Sequence, residues 1–147
     1  MKTVYEILRK KGNAIFSISQ DATVYEALQL MAEKGVGALL VMSRGALTGI
    51  LSERDYARKV ILHGKFSKDT LVEEIMSTRV IYVNQSLSAE ECMALMINKR
   101  IRHLPVIEND RLIGVISIGD VVKAVIDEKE FVIDQLVNYI TGAPKLV

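Results

Sequence analysis

Gly49-Ile50-Leu51-Ser52-Glu53-Arg54-Asp55 returns as Gly114-Val115-Ile116-Ser117-Ile118-Gly119-Asp120, and the interval of 65 residues between the copies organises the whole sequence. At that offset Glu26 falls on Glu91, Leu30 on Leu95, Met31 on Met96, Leu39 on Leu104, Val41 on Val106, Leu47 on Leu112 and Val60 on Val125, with no insertion. A repeat this regular implies a supersecondary unit that cannot bury its own apolar face and packs against its copy.

Each copy is predicted to run β-α-β-β-α. In the first, residues 14–18 form a short strand, and Thr23 with Glu26 makes a capping box opening a helix with Val24, Ala27, Leu28 and Met31 on one face. Ser88 and Glu91 repeat the box. The apolar run 38–42, a turn at Ser43-Arg44-Gly45 and the run 47–51 read as a hairpin, whose twin spans 104–116 and turns at Asn109-Asp110. Closing helices follow the motif directly, over about 53–62 and 118–126. The polar stretch 64–70 is a linker, which divides the chain into a first repeat at 3–63, a second at 71–126 and a tail at 127–147. Val72-Glu73-Glu74-Ile75-Met76 echoes Val4-Tyr5-Glu6-Ile7-Leu8 at an offset of 68, giving each copy a short lead helix. In the tail, Ile133, Leu136, Val137 and Ile140 fall at i, i+3, i+4 and i+7 and predict an amphipathic helix that stops at Gly142.

The repeated motif has two physical readings. A strand ending in Gly-h-h-Ser and running into a helix presents free backbone N–H groups and a hydroxyl at one point, which favours anionic oxygens. An aspartate three residues later is acceptor-only when ionised and suits the two hydroxyls of a ribose, while it repels phosphate. The sugar then belongs to the aspartate, and the phosphate to the hydroxyl, the N–H groups and a nearby base. The other reading is purely structural: Ser-x-x-Asp is also a helix capping box, and duplication alone does not separate the two.

Over residues 3–126 the chain resembles the cystathionine-β-synthase (CBS) domain pair, through both Gly-h-h-Ser-x-x-Asp motifs and through Ile101-Arg102-His103-Leu104-Pro105-Val106, which is similar to the family's second strand. The resemblance implies a mixed α/β (α+β) fold, a Bateman module in which tandem β-α-β-β-α repeats pack about a pseudo-twofold axis and form two clefts. It implies a non-catalytic regulatory role in which AMP, ADP, ATP or NAD(H) binds and signals by conformational change to a regulated enzyme or transporter. Carried over residue by residue, one cleft holds Ser52, Arg54 and Asp55 with Thr78, Val80, Ile81, Arg102 and His103. The other holds Ser117, Gly119 and Asp120 with Asn13, Ile15, Phe16, Val36 and Ala38. The first collects two arginines and a histidine where the second has Gly37 and Ala38, so the Asp55 cleft is expected to bind phosphate more tightly. Leu40 stands where the family pattern has the proline matched by Pro105. The resemblance also implies a homodimer, and it leaves open a sensor of S-adenosylmethionine and a ligand-free scaffold for protein interaction.

Composition excludes several other classes. Nineteen basic against eighteen acidic side chains, with no Lys/Arg block, lack the electrostatic footprint of a nucleic-acid binder. No apolar stretch is long enough for a membrane span and residues 1–6 lack the core of a signal peptide, so a cytoplasmic protein is expected. Cys92, the only cysteine, matches Ala27 in an apolar helix stripe and reads as a core residue rather than a nucleophile. Gly35-Val36-Gly37 precedes a strand and so is not a dinucleotide loop, and Glu73-Glu74 and Asp127-Glu128 read as solvated charge pairs. Neither a Walker loop, a Ser/His/Asp set nor a metal-ligand cluster is present, which predicts no catalysis and no catalytic cofactor.

Overall fold

The computed structural model describes residues 1–141, so the helix stop predicted at Gly142 lies outside the described residues. In chain order the elements are α1 (Val4–Lys11), β1 (Ser17–Ser19), α2 (Val24–Lys34), β2 (Ala38–Ser43), β3 (Ala46–Ser52), α3 (Glu53–Lys59), α4 (Val72–Ile75), α5 (Ala89–Lys99), β4 (His103–Glu108), β5 (Arg111–Ser117) and α6 (Ile118–Thr141), with 3-10 turns at Ile61–His63 and Ser67–Asp69. They form two compact units, Ala14–Ile81 and Met1–Asn13 with the chain from Tyr82 on.

In both units the hairpins form where two consecutive residues accept positive φ: Arg44 and Gly45 in one (52° and 78°), Asn109 and Asp110 in the other (51° and 61°). A bulge follows at the same point of each ladder, Val41/Met42 and Val106/Ile107. The 65-residue offset therefore extends to backbone irregularities.

The first strands differ. In the Ala14–Ile81 unit, β1 pairs parallel with β2, and the Leu40 N–H donates to the Phe16 carbonyl at 3.2 Å. Its equivalent, Pro105, has no N–H to give. In the other unit the matching pairing shrinks to a single bridge, Val83 to Val106, closed by Val83 N–H to Pro105 O (3.0 Å) and Ile107 N–H to Val83 O (2.9 Å). The leucine that departs from the family pattern thus lengthens a strand rather than breaking one.

The lead helices are exchanged. Helix α1 begins at an antiparallel bridge between Thr3 and Ser88, the cap of α5, and α4 begins at a bridge between Leu71 and Thr23, the cap of α2. Matching bonds anchor the two, among them Val4 N–H to Leu87 O and Val72 N–H to Ala22 O, both 2.8 Å. The division at 3–63 and 71–126 follows the sequence repeat; the contacts instead place α1 with the second repeat's strands and α4 with the first's. Shape explains the fit, because each lead helix lies on a motif glycine: a Cβ at Gly114 would sit 2.7 Å from Leu8 Cδ2, and one at Gly49 2.7 Å from Met76 Sδ.

The core of the Ala14–Ile81 unit is Val24, Ala27, Met31, Leu39, Val41, Leu51, Val60, Val72 and Ile75. In the other unit Val4, Ile7, Leu8, Cys92, Met96, Leu104, Val106, Ile116 and Val121 are buried. Burying each of the larger side chains is worth about 1.5–3 kcal/mol relative to exposure. Burial, and to a lesser degree the charge of Glu91, push the Cys92 thiol up to about 11, as a core residue requires.

Helix α6 joins two predicted elements, the closing helix 118–126 and the tail, into one helix of 24 residues. From Asp120 to Thr141 it contains neither glycine nor proline, so nothing stops it. Among the described residues, no helix is long and apolar enough to cross a membrane.

Candidate functional site

Each motif ends a strand and starts a helix. Ser52 closes β3 and caps α3: its Oγ accepts the Asp55 N–H (3.2 Å), while Asp55 Oδ2 accepts the Ser52 N–H (2.9 Å) and hydroxyl (3.1 Å). One turn on, Lys59 Nζ lies 3.3 Å from Asp55 Oδ1 and donates to the Ile75 carbonyl at 2.9 Å. Both carboxylate oxygens of Asp55 are therefore engaged.

The second motif has the same frame and a different cation. Ser117 Oγ accepts the Asp120 N–H (3.2 Å), and Asp120 Oδ2 accepts the Ser117 N–H (2.8 Å). Lys11, at the end of α1, donates to Asp120 Oδ2 at 2.7 Å and to the Val115 carbonyl at 2.8 Å. Asp120 Oδ1 takes part in none of these bonds. Across the ladder His103 is the direct partner of Ser117, and the Arg102 carbonyl accepts the Ile118 N–H at 2.8 Å. A lysine, a histidine and an arginine thus stand at one end of the β4–β5 hairpin beside Asp120.

Their protonation follows from that crowding. Burial draws Asp120 toward its neutral form, but hydrogen bonds from Lys11 and the Ser117 N–H outweigh it and hold the carboxyl below its ordinary range. Burial depresses the pKa of His103, and the Lys11 charge depresses it further against the opposing pull of Asp120. At neutral pH the group is a carboxylate, an ammonium and a neutral imidazole. An arriving anion would favour the protonated ring.

The residues singled out from sequence group by unit. Ser52, Arg54 and Asp55 share theirs with Thr78, Val80 and Ile81, which leave the edge of β3 after Ser77 exchanges two bonds with Ile50 (3.0 and 2.9 Å). Arg54 is exposed. Ala38 is the ladder partner of Ser52, and Phe16 and Val36 pack half-buried on the same unit's core, as Ile15 is also half-buried. Asn13, Ser117, Gly119 and Asp120 belong to the other unit, together with Arg102 and His103. A Cβ at Gly119 would meet nothing nearer than Ser117 Oγ at 3.6 Å, so packing does not demand that glycine. The contrast drawn from sequence, basic groups at Asp55 against small neutral ones at Asp120, omitted Lys11 and placed His103 only with Asp55. Lys59, at i+4 from Asp55, was legible in the spacing; Lys11, 109 residues from Asp120, was not.

The CBS domain model matches the sequence twice, at residues 4–62 and 72–127. The chain belongs to the CBS-domain family. A CBS-domain protein of known structure from Burkholderia ambifaria is 53% identical, with a TM-score of 0.83 over 86% of this chain and 95% of its own. The mitochondrial CBS domain-containing protein CBSX3 of Arabidopsis thaliana is 40% identical over 95% of this chain and 72% of its own length. A hexameric CBS-CP12 protein from bloom-forming cyanobacteria is 34% identical, with a TM-score of 0.74 over 83% of this chain and 70% of its own. The two CBS repeats, and the regulatory class of module they form, are thereby shown.

Proposed function

We propose that this CBS pair is a non-catalytic sensor whose Ser-x-x-Asp motifs bind an adenine nucleotide, AMP, ADP, ATP or NAD(H), and that binding shifts a conformational equilibrium read by a regulated enzyme or transporter. The observation that carries the reading is Asp120: its Oδ2 accepts from the Ser117 N–H and from Lys11, and His103 is the ladder partner of Ser117. A carboxylate acceptor suits sugar hydroxyls, and the flanking ammonium and imidazole suit phosphate. Lys11 and His103 move our choice of the tighter site from Asp55 to Asp120. Each motif supplies grip: a hydroxyl, backbone N–H groups and a carboxylate at one helix start. A cytoplasmic setting agrees with the buried free thiol of Cys92.

Thermal unfolding with millimolar AMP, ATP, NAD(H) or S-adenosylmethionine tests this. A nucleotide present at about 100 times its dissociation constant stabilises by about 2.7 kcal/mol, a rise of roughly 5–10 °C for a chain of this size. A rise with S-adenosylmethionine alone would replace the nucleotide by that ligand, and no rise with any of them would remove the sensor reading.

A second reading, an interaction module, is favoured by α6. Ile133, Leu136, Val137 and Ile140 lie along one stripe and remain exposed, as do Phe131 and Val132. We infer that this stripe seals a homodimer. Solution mass is expected to fall from dimer to monomer in an Ile133→Asp/Leu136→Asp variant; a monomeric native chain would refute the dimer.

A further inference from the structure

Ile61, Leu62 and Phe66 form an apolar tip on the Ala14–Ile81 unit, where Leu62 and Phe66 are 78% and 72% exposed. The backbone beneath them is fixed. Buried Val60 offers its carbonyl to the His63 N–H (3.2 Å) and the Lys65 N–H (3.0 Å), and the Phe66 carbonyl accepts the Thr70 hydroxyl at 2.8 Å. A tip held in this way loses little conformational freedom when it is covered. Arg58, Lys65 and Lys68 flank it in sequence, with no carboxylate between residues 56 and 68.

The 65-residue offset carries this tip onto the middle of α6, where the apolar residues recur and the charge does not. Ile61 falls on Ile126 and Phe66 on Phe131, all four exposed, while Lys65 falls on Glu130 and His63 on Glu128. From Asp127 to Thr141, α6 carries four carboxylates against one lysine. Neither Lys65 nor Glu130 has an ion-pair partner among the described residues. The large apolar residues from Phe131 to Ile140 are exposed, and a helix end of that length is marginal in water without something packed on it. One unit thus presents a basic apolar tip and the other an acidic apolar helix, and neither is covered.

We propose that α6 of one copy seats on the 61–66 tip of a second copy, so that two chains meet by unlike repeats. The proposal rests on the homodimer reading given above and adds what the α6 stripe packs against. Charge selects the arrangement: unlike ends bring Glu130 to Lys65, whereas like ends would set lysine against lysine and glutamate against glutamate. Made in both directions, the contact is self-complementary and closes a pair. A second copy fits these surfaces better than an unrelated protein does, because a single kind of contact covers both of them.

Sedimentation of the full chain over a range of concentrations tests the pairing, with Lys65→Glu, Glu130→Lys and the two substitutions combined. Each single variant is expected to dimerise about tenfold more weakly than the native chain, since the reversal turns attraction into repulsion at both contacts. An equimolar mixture of the two singles should recover the native affinity, because each chain supplies the charge that the other has reversed, and the combined variant should recover it too. Leu62→Ser/Phe66→Ser should separate the pair with every charge in place. If Lys65→Glu pairs with the native chain more tightly than the native chain pairs with itself, like ends meet and the proposal is overturned. A native dimer indifferent to all of these changes leaves the dimer reading standing and overturns the pairing; a monomeric native chain removes both. Should that monomer bind phosphatidylglycerol vesicles through Leu62 and Phe66, the tip belongs to a lipid surface instead.

Discussion

Gly49→Ala is expected to destabilise the chain by about 1–3 kcal/mol, and Gly114→Ala by clearly less, although the two glycines occupy the same place in the repeat. At Gly49 the added methyl would lie 2.7 Å from Met76 Sδ and 2.8 Å from the Ser77 carbonyl oxygen. Met76 can swing away, but Ser77 cannot: its carbonyl accepts the Ile50 N–H at 3.0 Å and its own N–H returns to Ile50 at 2.9 Å. Moving it breaks a bridge on both sides. At Gly114 the obstacles are the Leu8 methyls, at 2.7 and 3.1 Å, the far end of a side chain with another rotamer to try. Urea unfolding of the two variants measures the difference. Equal losses, or a larger loss at Gly114, would mean that the Ser77 backbone is not what makes Gly49 necessary. In this account the glycines serve packing, and neither variant should change nucleotide affinity while folded.

The repeat made most of the fold legible. The 65-residue offset located both hairpins, their turns and both capped helices, because these depend on local features: alternation, turn residues and the Ser/Thr-x-x-Glu spacing. Two of the departures have nonlocal causes. The expected strand at 14–18 appears as Ser17–Ser19, positioned by the Leu40 N–H rather than by its own apolar pattern. The exchange of α1 and α4 was invisible because an amphipathic helix does not state which copy it covers. The fusion of α6 could have been read from the missing breakers between residues 126 and 133.

Less of the site was legible. The motif named Ser52, Asp55, Ser117 and Asp120 and the capping geometry they share. It could not supply Lys11, which reaches Asp120 only because α1 packs on the second repeat's strands. The neighbours of an aspartate are a tertiary property, and here they differ between copies: a lysine from the same helix reaches Asp55 Oδ1, whereas one from a distant helix reaches Asp120 Oδ2.

Asp120→Ala is therefore expected to abolish the tighter nucleotide-binding event in calorimetry, a loss on the order of a hundredfold or more, while Asp55→Ala leaves that event largely intact. Both alanine variants also remove half of a capping box and cost about 0.5–2 kcal/mol of stability, so affinity must be compared below the melting range of each. Asp120→Asn separates the roles, since an amide oxygen can still accept the Ser117 N–H while the charge is gone. It should keep the cap but lose the Lys11 ion pair, so it is expected to cost less stability than alanine and still to lose affinity. The pH dependence follows from His103, whose ring holds its proton less readily than usual in the free protein. A bound phosphate reverses that bias, so binding takes up a proton and tightens as pH falls through a window around and below about 6.5. His103→Gln should flatten this profile. An Asp55→Ala variant that loses the tighter event, with Asp120→Ala unaffected, would return the phosphate site to the first motif and assign Lys11 a purely structural ion pair.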